Sequence, residues 1–545
     1  MENRRTLLAI VLVLFLWSGY NLLFPPKPAQ QTQAQTDKGA VDKNHPVQEQ
    51  ASVVPAVVPP QTDSVIDSAP ERQIRVHSPL FDLVFSNRGG RLINAQLNQY
   101  KQENTPDSPP VIFLSDEQKS QGYFSLRGED GFSIPQNLVY SCSVKEDQID
   151  ITSSAKTTVT FQALTPDQLR VSKIFTFYPD KYAFDIDIVV ENLTDQLKKG
   201  DLIVNISDRV DDTKKAGRYN FIGPATFDGE KLHNDSIKDI EKKSQQYNKI
   251  LWTSFTSKYF AAIICPLDNT FKSLDVSASN DHIVNSLKTD IITVSPNSSS
   301  LLKYTAYIGP RDFDLLKASG HQFERIIDLG FFGIIAKPLL SFLKFFYGIF
   351  GNYGVAIIVL TICIKALFWP LTQKSYTSMK QMQKLQPHMQ KLRAKYAKDK
   401  QKLNQEMMAL YKEHRVNPFG GCLPMVIQIP VFFALYRVLL EAIELRHAPF
   451  MLWITDLSAA DTLISDALGL GFALGPLPLI MGVTMFLQQK MTPTNMDPTQ
   501  AKVMMFMPVF FTFIFLSFPS GLVVYWLVNN LLTIGQQYMI NRKPA

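Results

Sequence analysis

Apolar residues follow two different patterns along this chain. Between about residues 71 and 325 they alternate with polar ones, whereas from about 330 onward they run together in stretches almost free of charge. The alternation is plain in Ala183-Phe184-Asp185-Ile186-Asp187-Ile188-Val189-Val190, and it recurs at 80–85 and 171–177. A period of two puts one face of a strand in a core and the other toward water. With turn signals such as Asn87-Arg88-Gly89-Gly90 between the runs, it predicts an antiparallel β-sandwich over residues 71–325.

The continuous runs predict helices that cross a membrane. At 1.5 Å per residue, about 20 apolar residues span the hydrocarbon. Residues 1–24 form the first candidate, with Arg4 and Arg5 ahead of an apolar run. A cleaved signal peptide is the competing reading. The run is long for a signal core, however, and no small-x-small site follows Phe24, which favours an uncleaved anchor. Further spans are predicted at 352–373, 418–445 and 467–488. Residues 503–540 carry no charged side chain. As one helix they would reach about 57 Å, roughly twice the hydrocarbon thickness. Phe518-Pro519-Ser520-Gly521 lies in their middle, so two crossings, 503–518 and 521–540, joined by a tight turn, are expected. The total is six.

Charge orients these spans. The net +6 is small for 545 residues, but its distribution is not even. Residues 374–417 are rich in Lys and Arg, while the loop at 446–466 holds Asp456, Asp461 and Asp466. Lys490 and Lys502 flank the loop at 489–502, and Arg542 and Lys543 lie in the tail at 541–545. Positive charge inside places both termini in the cytoplasm and the β-domain outside it. Residues 25–70, rich in Pro, Gln and Thr, read as a disordered linker. Residues 338–350 have one apolar side and Lys344, which suits a helix lying in the outer interface; an extension of the 352–373 span is the alternative. Within 374–417, Met379, Met382, Leu385, Met389 and Leu392, then Leu403, Met407 and Leu410, recur at helical spacing. They predict a helical hairpin whose methionines either pack its two arms or offer an adaptable docking surface.

Little here suggests covalent chemistry. His77, His233, His282 and His321 are scattered without ligand spacing, no phosphate-binding Gly-Lys loop or triad pattern occurs, and neither a metal nor a cofactor is expected. Cys142 and Cys265 read as buried thiols, with pairing as the alternative.

Several stretches of the apolar half resemble the YidC family of membrane insertases, to which the mitochondrial Oxa and chloroplast Alb proteins also belong. They are Pro370-Leu371-Thr372 with Tyr376-Thr377-Ser378-Met379; Met407-Met408-Ala409-Leu410-Tyr411-Lys412; Val416 to Pro424 running into Gln428-Ile429-Pro430; Met481-Gly482-Val483-Thr484-Met485; and Phe518-Pro519-Ser520-Gly521-Leu522. An anchor followed by a large β-domain is similar to the members from double-membrane bacteria. The resemblance implies a five-helix insertase core plus the anchor, and an outer β-supersandwich of the galactose-mutarotase type in the periplasm. It places the chain in a bacterial inner membrane as a protein that is not an enzyme. Its partners would be nascent membrane-protein clients, the Sec translocon and its accessory subunits, membrane lipids, and the ribosome and signal-recognition machinery through the cytoplasmic loops.

The family also implies a hydrophilic groove holding a cation on the second span, usually arginine. Lys365 stands at the matching position, which keeps the charge and loses the bidentate fork. An ionisable group inside a span costs at least ~2.5–3.5 kcal/mol, so it faces water or a partner, or else snorkels to an interface. Thr361, one turn away, and Gln428, Asn529 and Asn530 on other spans are candidates for the same groove, though each could serve helix packing alone. Arg437 is either a second groove charge or a snorkelling residue near the far end of its span. A secondary transporter or channel is the competing function, since it too needs polar groups within spans.

Overall fold

The computed structural model describes residues 70–114, 122–151, 156–209, 221–279, 282–396, 399–414, 416, 423–469, 471–491 and 498–542. The expected anchor, the expected linker up to residue 69 and the motif residues 417–422 lie outside them.

The alternating region forms two large sheets whose apolar faces meet in one core. Strand Ala183–Asn192 lies antiparallel to Leu169–Phe177 on one side and Ser299–Pro310 on the other. Phe184, Ile186, Ile188 and Val190 point inward, and Asp185 and Asp187 alternate with them. Phenylalanines from several strands fill the centre, with ring centroids 4.7 Å apart for Phe85 and Phe175 and 5.1 Å for Phe177 and Phe184. A parallel pair, Gln73–His77 with Gln148–Asp150, adds to the otherwise antiparallel pattern. Gly89 and Gly90 both take positive φ in the predicted turn, which non-glycine residues adopt only with strain.

A lysine is buried in this core. Lys173 is 0% exposed, and its ammonium donates to the carbonyls of Gly89, Gly90 and Phe124. Three acceptors use all three of its N–H groups, which is what makes the burial tolerable. Cys142 and Cys265 both carry free thiols. They sit in one sheet with four strands between them, about 24 Å at normal strand spacing, so they cannot pair. Burial pushes the Cys265 thiol up to about 12.

The helices are α1 (Ile237–Lys242), α2 (Phe313–Ala318), α3 (Gly333–Phe350), α4 (Tyr353–Lys384), α5 (Gln386–Lys395), α6 (Lys400–Glu413), α7 (Leu423–Glu441), α8 (Leu463–Leu468), α9 (Pro476–Met491), α10 (Pro498–Phe515) and α11 (Ser520–Arg542). The long uncharged run is thus two helices. Between them the Ser520 and Gly521 amides donate to Ala459 and Leu457 carbonyls, which satisfies two orphan donors at the start of α11. α3 is longer than the stretch expected and is separate from α4. Gly351 takes a left-handed conformation, and Asn352 caps α4 by accepting from the Val355 amide. Asn352 also donates to Phe450 O. Gly354 leaves room for the Phe450 ring, since a Cβ there would stand 1.9 Å from it.

α4 runs eleven residues past the expected end of its span. It stops where Pro387, in the first turn of α5, has no N–H to return to the Gln383 carbonyl. α5 and α6 then pack through Met389 and Leu410, with Met382, Leu385 and Val416. The buried methionines therefore serve packing, while Met408 is exposed.

Charged contacts join the β-domain to the helices. Lys344 of α3 lies 3.2 Å from Asp312, 2.8 Å from Asp314 and 2.6 Å from Glu444. Arg311, 8% exposed, donates to the carbonyls of Ser257, Lys258 and Ile326 and faces Glu441 at the end of α7 at 3.3 Å. Arg446 donates to the Lys101 and Gln102 carbonyls and lies over the Tyr259 and Phe260 rings. Tied at Lys344 to a carboxylate of α2, α3 lies against the outer domain partway along its length.

Replacing Lys173 with Met should leave three carbonyls without donors and destabilise the β-domain by about 2–4 kcal/mol. Hydrogen exchange in the full chain checks this: outer-domain amides should exchange faster while α4 and α11 amides keep their rates.

Candidate functional site

α11 is the element around which the polar residues of the helical core gather. It is hydrophobic overall, but Asn529, Asn530, Thr533, Gln536 and Gln537 recur at helical spacing along it. Asn530, Thr533, Gln536 and Gln537 each meet a side chain of a neighbouring helix.

Lys365 projects from α4 toward α11. Its Nζ donates to Thr533 Oγ1 at 2.7 Å, and the residue is 8% exposed. Thr533 Oγ1 donates in turn to the Asn529 carbonyl at 2.7 Å. Further along the same pair of helices, Gln536, fully buried, donates to Thr372 Oγ1 at 2.9 Å and to the Trp369 carbonyl at 3.3 Å. The Tyr376 hydroxyl meets the Gln537 side chain, and Lys380 Nζ donates to the Ile540 and Asn541 carbonyls at the end of α11. A cation is favourable there because helix C-termini carry partial negative charge. These contacts advance together along both helices and join α4 to α11 in a polar seam.

The other expected residues are divided among different helix pairs. Gln428 of α7 donates to Tyr525 OH of α11 at 2.7 Å. Asn530 donates to Thr484 Oγ1 of α9 at 3.2 Å. Thr361 is buried, with its hydroxyl donating to the Ile357 carbonyl of its own helix. Asn529 and Asn530 are neighbours about 100° apart around α11, so they cannot serve one face, and only Asn529 reaches the Lys365 contact, through its carbonyl. Arg437 is not brought to this set. It stands one turn from Glu441, 3.8 Å away, beside the contacts with the β-domain.

Thr533, Gln536 and Tyr525 were not among the residues singled out from the sequence, and Thr372 was named only within a family motif. The first two lie four and seven residues beyond Asn529 in a run without charge, and that periodicity was the signal available for them. In the β-domain, His233 pairs with Asp228 at 2.8 Å and His77 with Asp82, so these histidines are hydrogen-bonded surface residues. Burial works against the Asp228 carboxylate, but His233 and the Lys231 and Glu230 amides outweigh it and hold its pKa down to about 2.

Two family descriptions match the chain. One for a 60Kd inner membrane protein covers residues 345–545, and one for a YidC periplasmic domain covers 73–342. A membrane protein insertase YidC from Pelobacter propionicus is 43% identical, with 99% of each chain covered. Its counterpart from Geobacter sulfurreducens is 41% identical over 99% of this chain and 98% of its own. Among solved structures, an active YidC insertase with its first transmembrane domain resolved matches 86% of this chain and 93% of its own at 19% identity and a TM-score of 0.36. YidC from Thermotoga maritima matches 87% and 99% at 14% identity and a TM-score of 0.31.

Replacing Gln536 with Leu should loosen α4 from α11, since Thr372 and the Trp369 carbonyl lose their donor. A cost of about 1 kcal/mol is expected, read as a lower thermal midpoint of the detergent-solubilised protein.

Proposed function

The chain belongs to the YidC family of membrane protein insertases, and on that premise we propose that it moves polar segments of client proteins past the bilayer along the α4–α11 side of its helical core. Insertion of membrane proteins is its function, in an inner membrane, and the family is one of insertases rather than of catalysts. The transporter or channel reading is set aside with it. The observation that carries the mechanism is Lys365, a cation turned inward to a hydroxyl rather than outward along its helix.

Lys365 supplies the positive charge of a groove beside α11, and Gln428 and Asn530, which pair α11 with α7 and α9, hold the helices around it. Such a groove shortens the apolar barrier that a client's polar tail must cross and attracts its acidic residues. The client's apolar helix then partitions into lipid, driven by about 25 cal/mol for each Å² buried, with the membrane potential adding to it. The chain crosses the membrane six times, with residues 1–24 as the first span, 521–540 as the last and both termini in the cytoplasm. α5 and α6 then stand in the cytoplasm as a basic hairpin, suited by charge to anionic lipid or ribosomal RNA. Ribosome, signal-recognition factors and the Sec translocon with its accessory subunits are the partners this arrangement would serve.

Reconstitution into liposomes with a single-span client tests the mechanism. Lys365→Ala should cut insertion severalfold, Lys365→Arg should keep it, and Arg437→Leu should leave it near the parent level. Full insertion by Lys365→Ala would sink the groove reading.

A further inference from the structure

Resting on the groove reading above, we infer that Thr533 is the positioning residue that holds the Lys365 ammonium within the bundle and thereby selects clients whose translocated segment carries a carboxylate.

The argument begins with one proton. The Thr533 hydroxyl has a single hydrogen, and the Asn529 carbonyl takes it at 2.7 Å, a back-bond to the preceding turn. What remains facing Lys365 is a lone pair, so Thr533 meets the ammonium as a fixed acceptor at 2.7 Å. The β-branched side chain has few rotamers in a helix, and the back-bond selects among them. Lys365 therefore meets an acceptor whose direction is set before any client arrives.

An ammonium has three N–H groups, and Thr533 uses one. No carboxylate among the described residues lies within ion-pair distance of Lys365. Two donors are left for a ligand, in surroundings where a charge-assisted hydrogen bond is strong. A client carboxylate satisfies them, and a neutral amide does so less well. Without Thr533, the four-carbon stem is free to extend along α4 until the ammonium reaches water. The charge would be kept and its depth lost. The next rung, Gln536 with Thr372, touches neither the ammonium nor its acceptor, and so provides a control for seam packing.

The test uses the full chain in liposomes and two forms of one single-span client, its polar tail carrying either two Asp or two Asn. The quantity read is the ratio of acidic to neutral insertion by protease protection. Thr533→Val, close in shape but without the acceptor, should lower that ratio roughly tenfold. Thr533→Ser should restore it, and Gln536→Leu should leave it at the parent value. An unchanged ratio in Thr533→Val overturns the inference. Should Thr533→Val insert neither client, labelling of Lys365 by a water-soluble amine reagent decides: faster labelling than in the parent supports the inference, and equal labelling overturns it. Lys365→Met separates the two levels. If it keeps the acidic preference, the groove reading fails; if it loses the preference while Thr533→Val keeps it, only the role of Thr533 fails.

Discussion

A charged amine inside a bilayer-spanning bundle is the constraint around which the helical core is arranged. Lipid offers it no hydrogen-bond partner, so a neighbouring helix must. α11 does so at Thr533, and the same helix supplies partners to α7 through Tyr525 and to α9 through Asn530. A single, mostly apolar helix is thereby tied to three others by polar contacts, each modest in energy and each specific in direction. Apolar packing alone would let such helices rotate and slide against one another. Close approaches without side chains, such as Gly482 against Thr512, add shape to that specificity.

Much of this was legible in the chain itself. Alternation at 183–190 marked one strand, Asn87-Arg88-Gly89-Gly90 marked a turn between two others, and Phe518-Pro519-Ser520-Gly521 divided a run too long for one crossing. These are local signals, written in residues that make the structure they announce. Lys365 stood out because a charge in an apolar run demands an explanation. Its partner did not, because a threonine in a helix costs nothing conspicuous and only the opposite helix gives it meaning. Of the five polar residues read as one cavity lining, four are distributed over three helix pairs and Thr361 bonds within its own helix. Sequence reveals that a residue is polar, but the angle around the helix decides which neighbour it serves. Lys173 was similarly hidden, a lone lysine in an alternating strand until three carbonyls are seen around it.

The contact between the β-domain and the helices combines ion pairs with apolar residues such as Ile443, which joins the β-domain core. Lys344 gathers three carboxylates, and Arg311 combines three carbonyls with Glu441. Buried pairs of this kind add little net stability but penalise misalignment heavily, because shifting one partner strands the other. Glu441 ends α7, the helix that carries Gln428, and Lys344 lies on α3, which packs beside α4 in the same apolar cluster. The outer domain thus fixes the orientation of helices that also contribute to the polar core.

α4 carries a mechanical implication. Lys365 and Met382 belong to one uninterrupted helix, 17 residues or about 26 Å apart. Pro370 removes a single rung of its hydrogen bonding between them. Met382 belongs to the small apolar cluster that seats α5 and α6. A movement of those two short helices would therefore reach Lys365 only through the Pro370 turn, the point at which α4 bends most easily.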